Sequence, residues 1–208
     1  MVGLDQTSIE RPCRDARSLI AQARHGDAEA FGELCQQFES RLLRHGILLC
    51  GDVSLAEDLA QETLIEAWKC LGRYNDQCQF FTWLCAILQN RHRRVLRCKK
   101  LFFFIGLTSS KPHDERIEIP RAASGDVASP AEAAQLLEKA ALVRQCVAAL
   151  PTKHQQVVYL RFFVDDSLEG IAAALNCSIG TVKSRLFHAL DKLRRMPALR
   201  ECGEELKK

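Results

Sequence analysis

The 208-residue sequence lacks the features of several common protein classes. It contains ten cysteines, but no two have Cys-x-x-Cys spacing and none lies near histidine at zinc-finger distances, so no metal site is expected. Its first residues contain no apolar signal core, and no apolar run approaches the ~20 residues of a membrane span. We therefore expect a cytoplasmic chain without membrane insertion and with mostly reduced thiols, which fill small apolar spaces; redox sensing is the alternative.

Charges of opposite sign are separated along the chain, although the formal net charge is only +3. The segment from Asp52 to Trp68 contains acidic residues but no lysine or arginine. No acidic residue occurs between Gln77 and His113, where three aromatic residues in four positions precede a run of arginine and lysine. This separation is typical of a protein that meets two partners of opposite charge.

Apolar residues recur at helical spacing throughout the first half, which predicts an all-α fold. Helices are expected at Ala16 to Ala23 and Ala28 to Leu49. Ser54 and Glu57 form a capping-box pattern, which predicts a helix from there to about Leu71. Its expected inward residues are Leu55, Leu59, Leu64, Trp68 and Leu71. Asp58, Glu62 and Glu66 lie four apart on another face.

A further helix is predicted from about Phe81. The residues expected to be buried are Trp83, Leu84, Ile87, Leu88 and Val95. The residues expected on the opposite face are Gln89, Asn90, Arg93, Arg97 and Lys100. Arg91 falls among the apolar positions. Either it pairs with an acid of a neighbouring helix or the helix changes phase there.

The segment from Thr108 to Pro130 is rich in proline and serine and is predicted to be a linker. Helices are then expected from Ala131 to Ala149 and from Pro151, a favourable first helical residue, to about Phe163. Ser167 to Arg195 has the spacing of a helix-turn-helix. Its predicted turn residue is Asn176, its second helix cap is Ser178, and its buried residues are Ile171, Ala172, Leu175, Val182, Leu186, Ala189 and Leu193.

The outward face of the second helix in this motif is suited to DNA. It carries Lys183, Ser184, Phe187, His188, Asp191 and Arg195, with Arg185 on its flank. Lysine and arginine can bind guanine edges in the major groove, and an aromatic ring can contact a thymine methyl. Phe187 favours this interpretation over an ordinary solvated face, because a ring exposed to water has no other evident benefit.

Four motifs in this order and separation resemble the bacterial RNA polymerase sigma factors of the extracytoplasmic-function (ECF) type, in the sigma-70 family. They are AEDLAQETLIEAW, FFTWLCAILQNR, LP..HQQVVYLRFF and IGTVKSRLFHALDKLR. The resemblance covers roughly Asp27 to Lys100 and Leu136 to Met196. It implies an all-α fold of two small helical domains joined by a flexible linker. The implied parts are an N-terminal extension (1–15), a region 2 domain (16–107), the linker (108–130), a region 4 helix-turn-helix domain (131–199) and a tail (200–208).

The resemblance also implies a function, which is to bind core RNA polymerase and direct promoter-specific initiation. The expected polymerase contacts, to the β′ clamp helices and the β subunit, include Asp58, Gln61, Glu62 and Glu66. The expected contacts to the −10 element are Asn75, Gln79, Phe80, Phe81, Trp83, Asn90, Arg93, Arg97 and Lys100. Those to the −35 element are Thr181, Lys183, Ser184, Arg185, Phe187 and His188. An anti-sigma factor is implied as a further partner.

The aromatic cluster beside basic residues suits melted DNA, because rings can replace lost base stacking by ~1–3 kcal/mol per base while arginines hold phosphates. Core packing is the alternative for Trp83, Phe80 and Phe81. Some residues depart from the family pattern. His188 and Leu190 stand where arginine or lysine is common, and Gly170 stands where glutamate is usual, which weakens its helix by ~1 kcal/mol relative to alanine. The segment Leu101 to Leu107 has no clear counterpart.

Two other functions are alternatives. A stand-alone helix-turn-helix regulator would explain the second half but would leave the acidic helix and the FFTWL segment without a role. An enzyme such as a nuclease would need a carboxylate cluster, a glycine-rich phosphate loop or a nucleophile motif, and none is evident. We therefore expect a non-catalytic protein without a cofactor.

Overall fold

The computed structural model describes residues 15–104 and 130–199, with side chains over 15–98 and 138–199. The main α-helices and one 3-10 turn in these ranges are named in chain order. They are α1 (Ala16–Arg24), α2 (Ala28–Cys50), α3 (Val53–Cys70), the 3-10 turn (Leu71–Arg73), α4 (Phe80–Phe104), α5 (Pro130–Ala148), α6 (Thr152–Phe162), α7 (Leu168–Ala174) and α8 (Ile179–Arg194). The described residues contain no strand, which confirms the all-α prediction. Two compact units, Met1–Phe38 and Glu39–Lys208, are distinguished by their backbone contacts.

Aspartate residues cap the first two helices. The Asp15 side chain accepts from Arg17 N at the start of α1. Asp27 Oδ1 accepts from the backbone N–H groups of Glu29 and Ala30, at 3.0 and 3.1 Å, at the start of α2. Each cap satisfies amide groups that have no partner within the helix, so both boundaries follow from local sequence.

Helix α3 begins two residues earlier than the capping-box pattern suggested. Asp52, rather than Ser54, is the cap, since its Oδ1 accepts from Leu55 N at 2.9 Å. The buried stripe also differs from the prediction. It consists mainly of small residues, namely Ala56, Leu59, Ala60, Thr63 and Ala67.

Small residues explain this rotation of α3. A side chain at Gly46 of α2 would lie only 3.2 Å from Ala56 Cβ, so the two helices approach closely at this point. Because the closest approach uses glycine and alanine, the larger apolar residues lie on the flanks of α3. Leu55 and Leu64 are half-buried, and Trp68, predicted to be inward, is 38% exposed.

Helix α4 packs against α3 and begins at Phe80, close to the prediction. Leu84 and Leu88 are fully buried as expected, whereas Trp83, Ile87 and Val95 are half-buried. The other buried residues of the helix are Phe80, Phe81, Thr82, Cys85, Ala86, Gln89 and His92.

Gln89 was predicted to face outward, and that prediction is wrong, because its side chain is 2% exposed. A polar partner makes this burial possible: Gln89 Nε2 lies 3.4 Å from Nε2 of His45, which is buried on α2. Helical spacing alone cannot anticipate a polar pair inside the core.

The second half contains the predicted helix-turn-helix. Ser167 caps α7 by accepting from Gly170 N at 2.9 Å, and Ser178 caps α8 by accepting from Thr181 N at 3.1 Å. Between them Asn176 has a φ of +48°, the left-handed conformation that was expected. Pro151 occupies the cap position of α6 rather than its first helical position.

The core beneath this motif joins α5, α6 and α8. It consists of Val147, Leu150, Val158, Tyr159 and Ala189, with Leu186, Leu193 and Met196 packed against it. Leu48 and Leu49 of α2 pack against the same cluster. Val182, Ala189, Ile171 and Ala172 are buried as predicted, while Leu175, Leu186 and Leu193 are half-buried.

Several predicted features lie at or beyond the limits of the described residues. The linker at 108–130 is outside them except for Pro130, which begins α5. Leu101 to Phe104 continue α4, and the remainder of that apolar segment is outside the described residues.

Within the described part of the chain, no helix combines the length and apolar character needed to cross a membrane. Residues 15–98 and 138–199 also bring together no group of three metal-binding side chains.

Candidate nucleic-acid interface

The exposed face of α8 carries the residues predicted to contact DNA. Val182 and Ala189 are fully buried, and this fixes the helix so that Lys183, Ser184, Phe187 and His188 are exposed. Thr181 and Arg185 are half-buried. Phe187 has 67% of its surface exposed, the largest value among the exposed large apolar residues. A cationic helix with an exposed ring suits the floor of a major groove.

A row of rings extends this face onto α6. The ring of His188 contacts Phe187 edge-on at 5.5 Å and stacks with His154 at 6.4 Å between centroids. Burial, followed by the positive charges of Lys192, His188 and Arg185, lowers the pKa of His154. Sequence reasoning missed His154, because its proximity to α8 depends on the packing of α6.

A second candidate surface surrounds the start of α4. The rings of Tyr74, Phe80 and Trp83 form a cluster with centroids 5.3 to 5.6 Å apart. The Tyr74 hydroxyl donates to the backbone oxygen of Cys78 at 2.6 Å, which ties the preceding loop to the cluster. Tyr74 was not among the predicted site residues, although its ring stands next to them in sequence.

The three predicted base-stacking rings differ in exposure. Phe80 is 6% exposed within the aromatic cluster, and Phe81 is 3% exposed. Phe81 contacts the His45 ring edge-on, and the Arg41 guanidinium lies 3.9 Å from its ring centroid. Trp83 is half-buried and therefore retains accessible surface. Phe80 and Phe81 thus hold the start of α4 in place, and Trp83 is the ring available at the surface.

Polar and basic residues lie on both sides of this cluster. Asn75 and Gln79 are exposed in the loop, where Asn75 Oδ1 accepts from Gln77 N at 3.3 Å. Along α4, Arg93 donates to Asn90 Oδ1 at 2.5 Å, and Arg97 is exposed. Lys100 belongs to α4, but its side chain is outside the described part.

The acidic face of α3 is the third surface. Asp58 and Gln61 are exposed, and the side chains of Glu62 and Glu66 are 54% and 44% exposed. Arg91 of α4 bridges the last two, at 2.5 Å to Glu62 Oε2 and 3.1 Å to Glu66 Oε2. The first of the two explanations considered for Arg91, pairing with a neighbouring acid, is therefore correct.

Asp166, which sequence reasoning also missed, connects the start of α4 with the region that contains the helix-turn-helix. It lies between α6 and α7 and is 5% exposed. Its Oδ2 accepts from Thr82 Oγ1 at 2.5 Å and from Gln79 N at 3.3 Å, both at the start of α4. These contacts span more than 80 residues of sequence, so local patterns contain no signal for them.

These features define a helical protein that presents a helix-turn-helix and a separate aromatic and basic surface suited to nucleic acid. Two family models match the chain, Sigma-70 region 2 over residues 21–101 and Sigma-70 region 4 over residues 146–195, together more than half of its length. The chain belongs to the sigma-70 family of bacterial RNA polymerase sigma factors and is of the ECF type. It is therefore a promoter-directing sigma factor, and a stand-alone regulator is not favoured.

Curated sigma factors are similar in sequence to this chain over most of their length. The RNA polymerase sigma-H factor of Pseudomonas aeruginosa is 29% identical over 195 residues, which covers 89% of this chain and 96% of the relative. The ECF RNA polymerase sigma factor SigW of Bacillus subtilis is 28% identical over 176 residues, covering 85% and 93%.

Solved structures confirm the fold of two helical domains. CnrH, solved in complex with the cytosolic domain of CnrY, has a TM-score of 0.59 and 26% identity, covering 90% of this chain and 99% of CnrH. The sigma factor RpoE of Bartonella quintana, solved with the anti-sigma factor NepR, also has a TM-score of 0.59, at 23% identity, covering 83% and 98%.

Proposed function

We propose that this sigma factor docks on core RNA polymerase through α3 and contacts promoter DNA through two separate surfaces. The −10 element meets the Asn75–Gln79 loop and α4, and the −35 element meets α8. The observation that carries the proposal is the separation of charge: α3 presents exposed carboxylates, whereas α4 and α8 present exposed cations. The proposed domains are 16–107 for region 2 and 131–199 for region 4.

The exposed face of α3 has the composition of a protein interface. At 100° per residue, Asp58, Ile65 and Glu62 lie within about 60° of one another on the helix. Gln61 and Trp68 adjoin this arc. Ile65 and Trp68 are 54% and 38% exposed, so apolar surface is set among polar and acidic groups. An apolar centre with a charged rim is typical of a protein-docking site, and the family resemblance points to the β′ clamp helices as the partner.

At the −10 element, we propose that Trp83 and the loop residues Asn75 and Gln79 meet the separated bases. Arg93, Arg97 and Lys100 hold phosphates of the freed strand. Phe80 and Phe81, whose rings are covered, act by holding the loop and the start of α4. Asn90 contributes a side-chain amide on the same helix.

At the −35 element, the N-terminal turns of α8 enter the major groove. Lys183 and Arg185 supply hydrogen-bond donors to base edges or phosphates, and Phe187 supplies apolar contact. Thr181, Ser184 and His188 complete the surface. The exposure of Phe187 supports this arrangement, because 67% of its surface is available for contact.

We further propose that a protein inhibitor binds this sigma factor and that the sigma factor itself catalyses no reaction. CnrH, which resembles this chain in fold and sequence, was solved with the cytosolic domain of CnrY. We infer that this sigma factor is held inactive by an anti-sigma partner in the cytoplasm. Sigma factors are DNA-recognition proteins, and we propose that phosphoryl transfer belongs wholly to the polymerase.

Binding of the full chain to core RNA polymerase tests the proposal. Asp58→Arg is expected to weaken binding at least tenfold, and the double variant Asp58→Arg, Glu62→Arg to weaken it further. Glu39→Arg makes the same charge change at an exposed position on α2 and is expected to bind normally. Equal loss in both single variants would show a general charge effect instead of a docking surface. Failure of the unaltered chain to bind polymerase would overturn the function.

A further inference from the structure

The Asp166 carboxylate occupies the N-terminal end of α4, although it belongs to the other DNA-reading domain. Thr82 lies in the first turn of α4, and Gln79 directly precedes the helix. Asp166 Oδ2 accepts from the Thr82 hydroxyl at 2.5 Å and from Gln79 N at 3.3 Å. A carboxylate at this end of a helix satisfies an unpaired amide and interacts favourably with the helix dipole. Asp166 therefore caps the helix that carries the −10 surface.

The same side chain is held from its own domain. Asp166 Oδ1 accepts from Ser167 N at 2.7 Å, and the Asp166 backbone oxygen accepts from Arg161 at 2.8 Å. Thus Oδ1 accepts a hydrogen bond at the start of α7, while Oδ2 accepts hydrogen bonds at the start of α4. This division makes the contact a connection between domains rather than a local turn.

Gly170 provides the space for this arrangement. A Cβ built on Gly170 would lie 2.5 Å from Asp166 Oδ1 and 2.8 Å from Cγ, which no side chain could tolerate without displacing the carboxylate. Glycine inside a helix costs ~1 kcal/mol relative to alanine. The cost is offset here by a buried carboxylate that contacts α4.

Further contacts close the same interface. Gln156 Nε2 of α6 donates to Asn90 Oδ1 of α4 at 3.4 Å, and the Tyr159 hydroxyl donates to the Leu48 backbone oxygen at 3.4 Å. Two residues that the proposed function assigns to the −10 surface, Gln79 and Asn90, are therefore bonded to the −35 domain. Contacts of Gln79 and Asn90 with DNA therefore compete with their hydrogen bonds to the −35 domain.

We propose that Asp166 is a latch that holds the two promoter-reading domains together in the free protein and must release before both elements are bound. This inference rests on the proposed function. Elements centred about 25 base pairs apart are separated by roughly 85 Å along B-form DNA, at about 3.4 Å per base pair. Domains joined by the hydrogen bond from Thr82 to Asp166 cannot span that distance. Only the open molecules bind productively. The latch therefore multiplies the intrinsic affinity of the sigma factor for polymerase by the fraction of free molecules that are open.

Two variants of the full chain test the latch from opposite sides. Thr82→Val removes the donor on α4 and leaves every bond within the −35 domain intact. Asp166→Asn keeps the shape of the side chain and an oxygen for Ser167 N, but it turns an amide NH2 group toward Gln79 N, so the bond from Gln79 N and the negative charge are both lost. Asp165→Asn is the matched control, because it removes the same charge from the neighbouring exposed position, where the carboxylate pairs with Arg161 of its own domain at 3.8 Å. Small-angle X-ray scattering of the free protein reports domain separation, and titration with core RNA polymerase reports affinity.

The latch predicts that Thr82→Val and Asp166→Asn both increase the radius of gyration and tighten polymerase binding by about three- to tenfold. Asp165→Asn should match the unaltered protein in both measurements. Unchanged radius and affinity in Thr82→Val would overturn the latch, even if Asp166→Asn failed to fold. If the unaltered chain did not bind polymerase, the proposed function would fail, while the scattering data would still decide whether the latch exists.

Discussion

The Arg91 guanidinium donates to Glu62 Oε2 at 2.5 Å and so ties α4 to the acidic face of α3. A second bond, to Glu66 Oε2 at 3.1 Å, completes the bridge. This pairing explains why an arginine stands at an apolar phase of α4. It also neutralises part of the acidic face, which leaves Asp58 as a carboxylate on that face outside the bridge.

Replacing Arg91 should separate stability from polymerase binding. Arg91→Gln is expected to lower the free energy of unfolding by about 1 kcal/mol, because the bridge is only partly buried. Polymerase affinity should stay the same or increase, since two carboxylates of the docking face are released. Urea unfolding and polymerase titration measure the two effects, with the exposed Arg94→Gln as control. A loss of affinity as large as that of Asp58→Arg would contradict our assignment of the docking face.

Gly170→Ala should destabilise the protein, although alanine is the better helix former by ~1 kcal/mol. The reason is the 2.5 Å separation between the new Cβ and Asp166 Oδ1. A double-mutant cycle with Asp166→Ala isolates the conflict, because removing the carboxylate should make Gly170→Ala neutral or stabilising. Additive changes in the free energy of unfolding would show that the two residues do not interact.

Acid should weaken the fold through His45. Burial and then the positive charge of Arg41 lower the pKa of His45 from 6.5 to about 4. Below pH 6.5 the unfolded chain binds a proton that the folded chain excludes, so the free energy of unfolding decreases as pH falls. The loss attributable to His45 is about 2 kcal/mol between about pH 7.5 and pH 5.

His45→Gln should remove this component of the pH dependence, measured by urea unfolding at the two pH values. His25→Gln, at an exposed position, controls for the exchange of histidine for glutamine. If the His45 variant kept the full slope, another group would be responsible for it.

Lys183 and Phe187 should have distinguishable effects on binding of the holoenzyme to promoters. Lys183→Ala is expected to reduce the slope of log affinity against log salt by about 1 if the lysine contacts a phosphate. Phe187→Ala should weaken binding with little change in that slope, because it removes apolar contact. Arg44→Ala, at an exposed position on α2, controls for net charge. Normal binding by Phe187→Ala would remove that ring from the −35 surface.

Cys78 should react slowly with alkylating agents at neutral pH. Burial, and then the negative charges of Asp166 and Asp76, raise the pKa of its thiol to about 11. Its modification should therefore lag behind that of exposed Cys98 and accelerate as the pH rises. Mass spectrometry of peptides after timed alkylation compares the two rates. Equal rates at neutral pH would contradict the environment described for Cys78.

Sequence patterns predicted the helices and the helix-turn-helix well, because their determinants act over a few residues. Ser178 capping α8 and Asn176 in the left-handed turn are examples. Errors occurred where tertiary packing mattered. The close contact of Gly46 with Ala56 rotates α3 and exposes Trp68, although helical phase had placed Trp68 inward. The surface residues of α8 were predicted correctly because a buried stripe determines the opposite face, whereas no such rule distinguishes buried from exposed rings at the start of α4.

The sequence by itself determined which segments are helical, where most of them begin, and the separation of acidic from basic surface, since caps, periodicity and charge are local properties. Only the tertiary structure decided the partners of Arg91, Gln89 and Thr82, which are 25 to 84 residues away in sequence. Each of these polar groups could have faced water without altering any local pattern. Their burial or pairing depends on which helices pack together, and that choice is made by the fold as a whole.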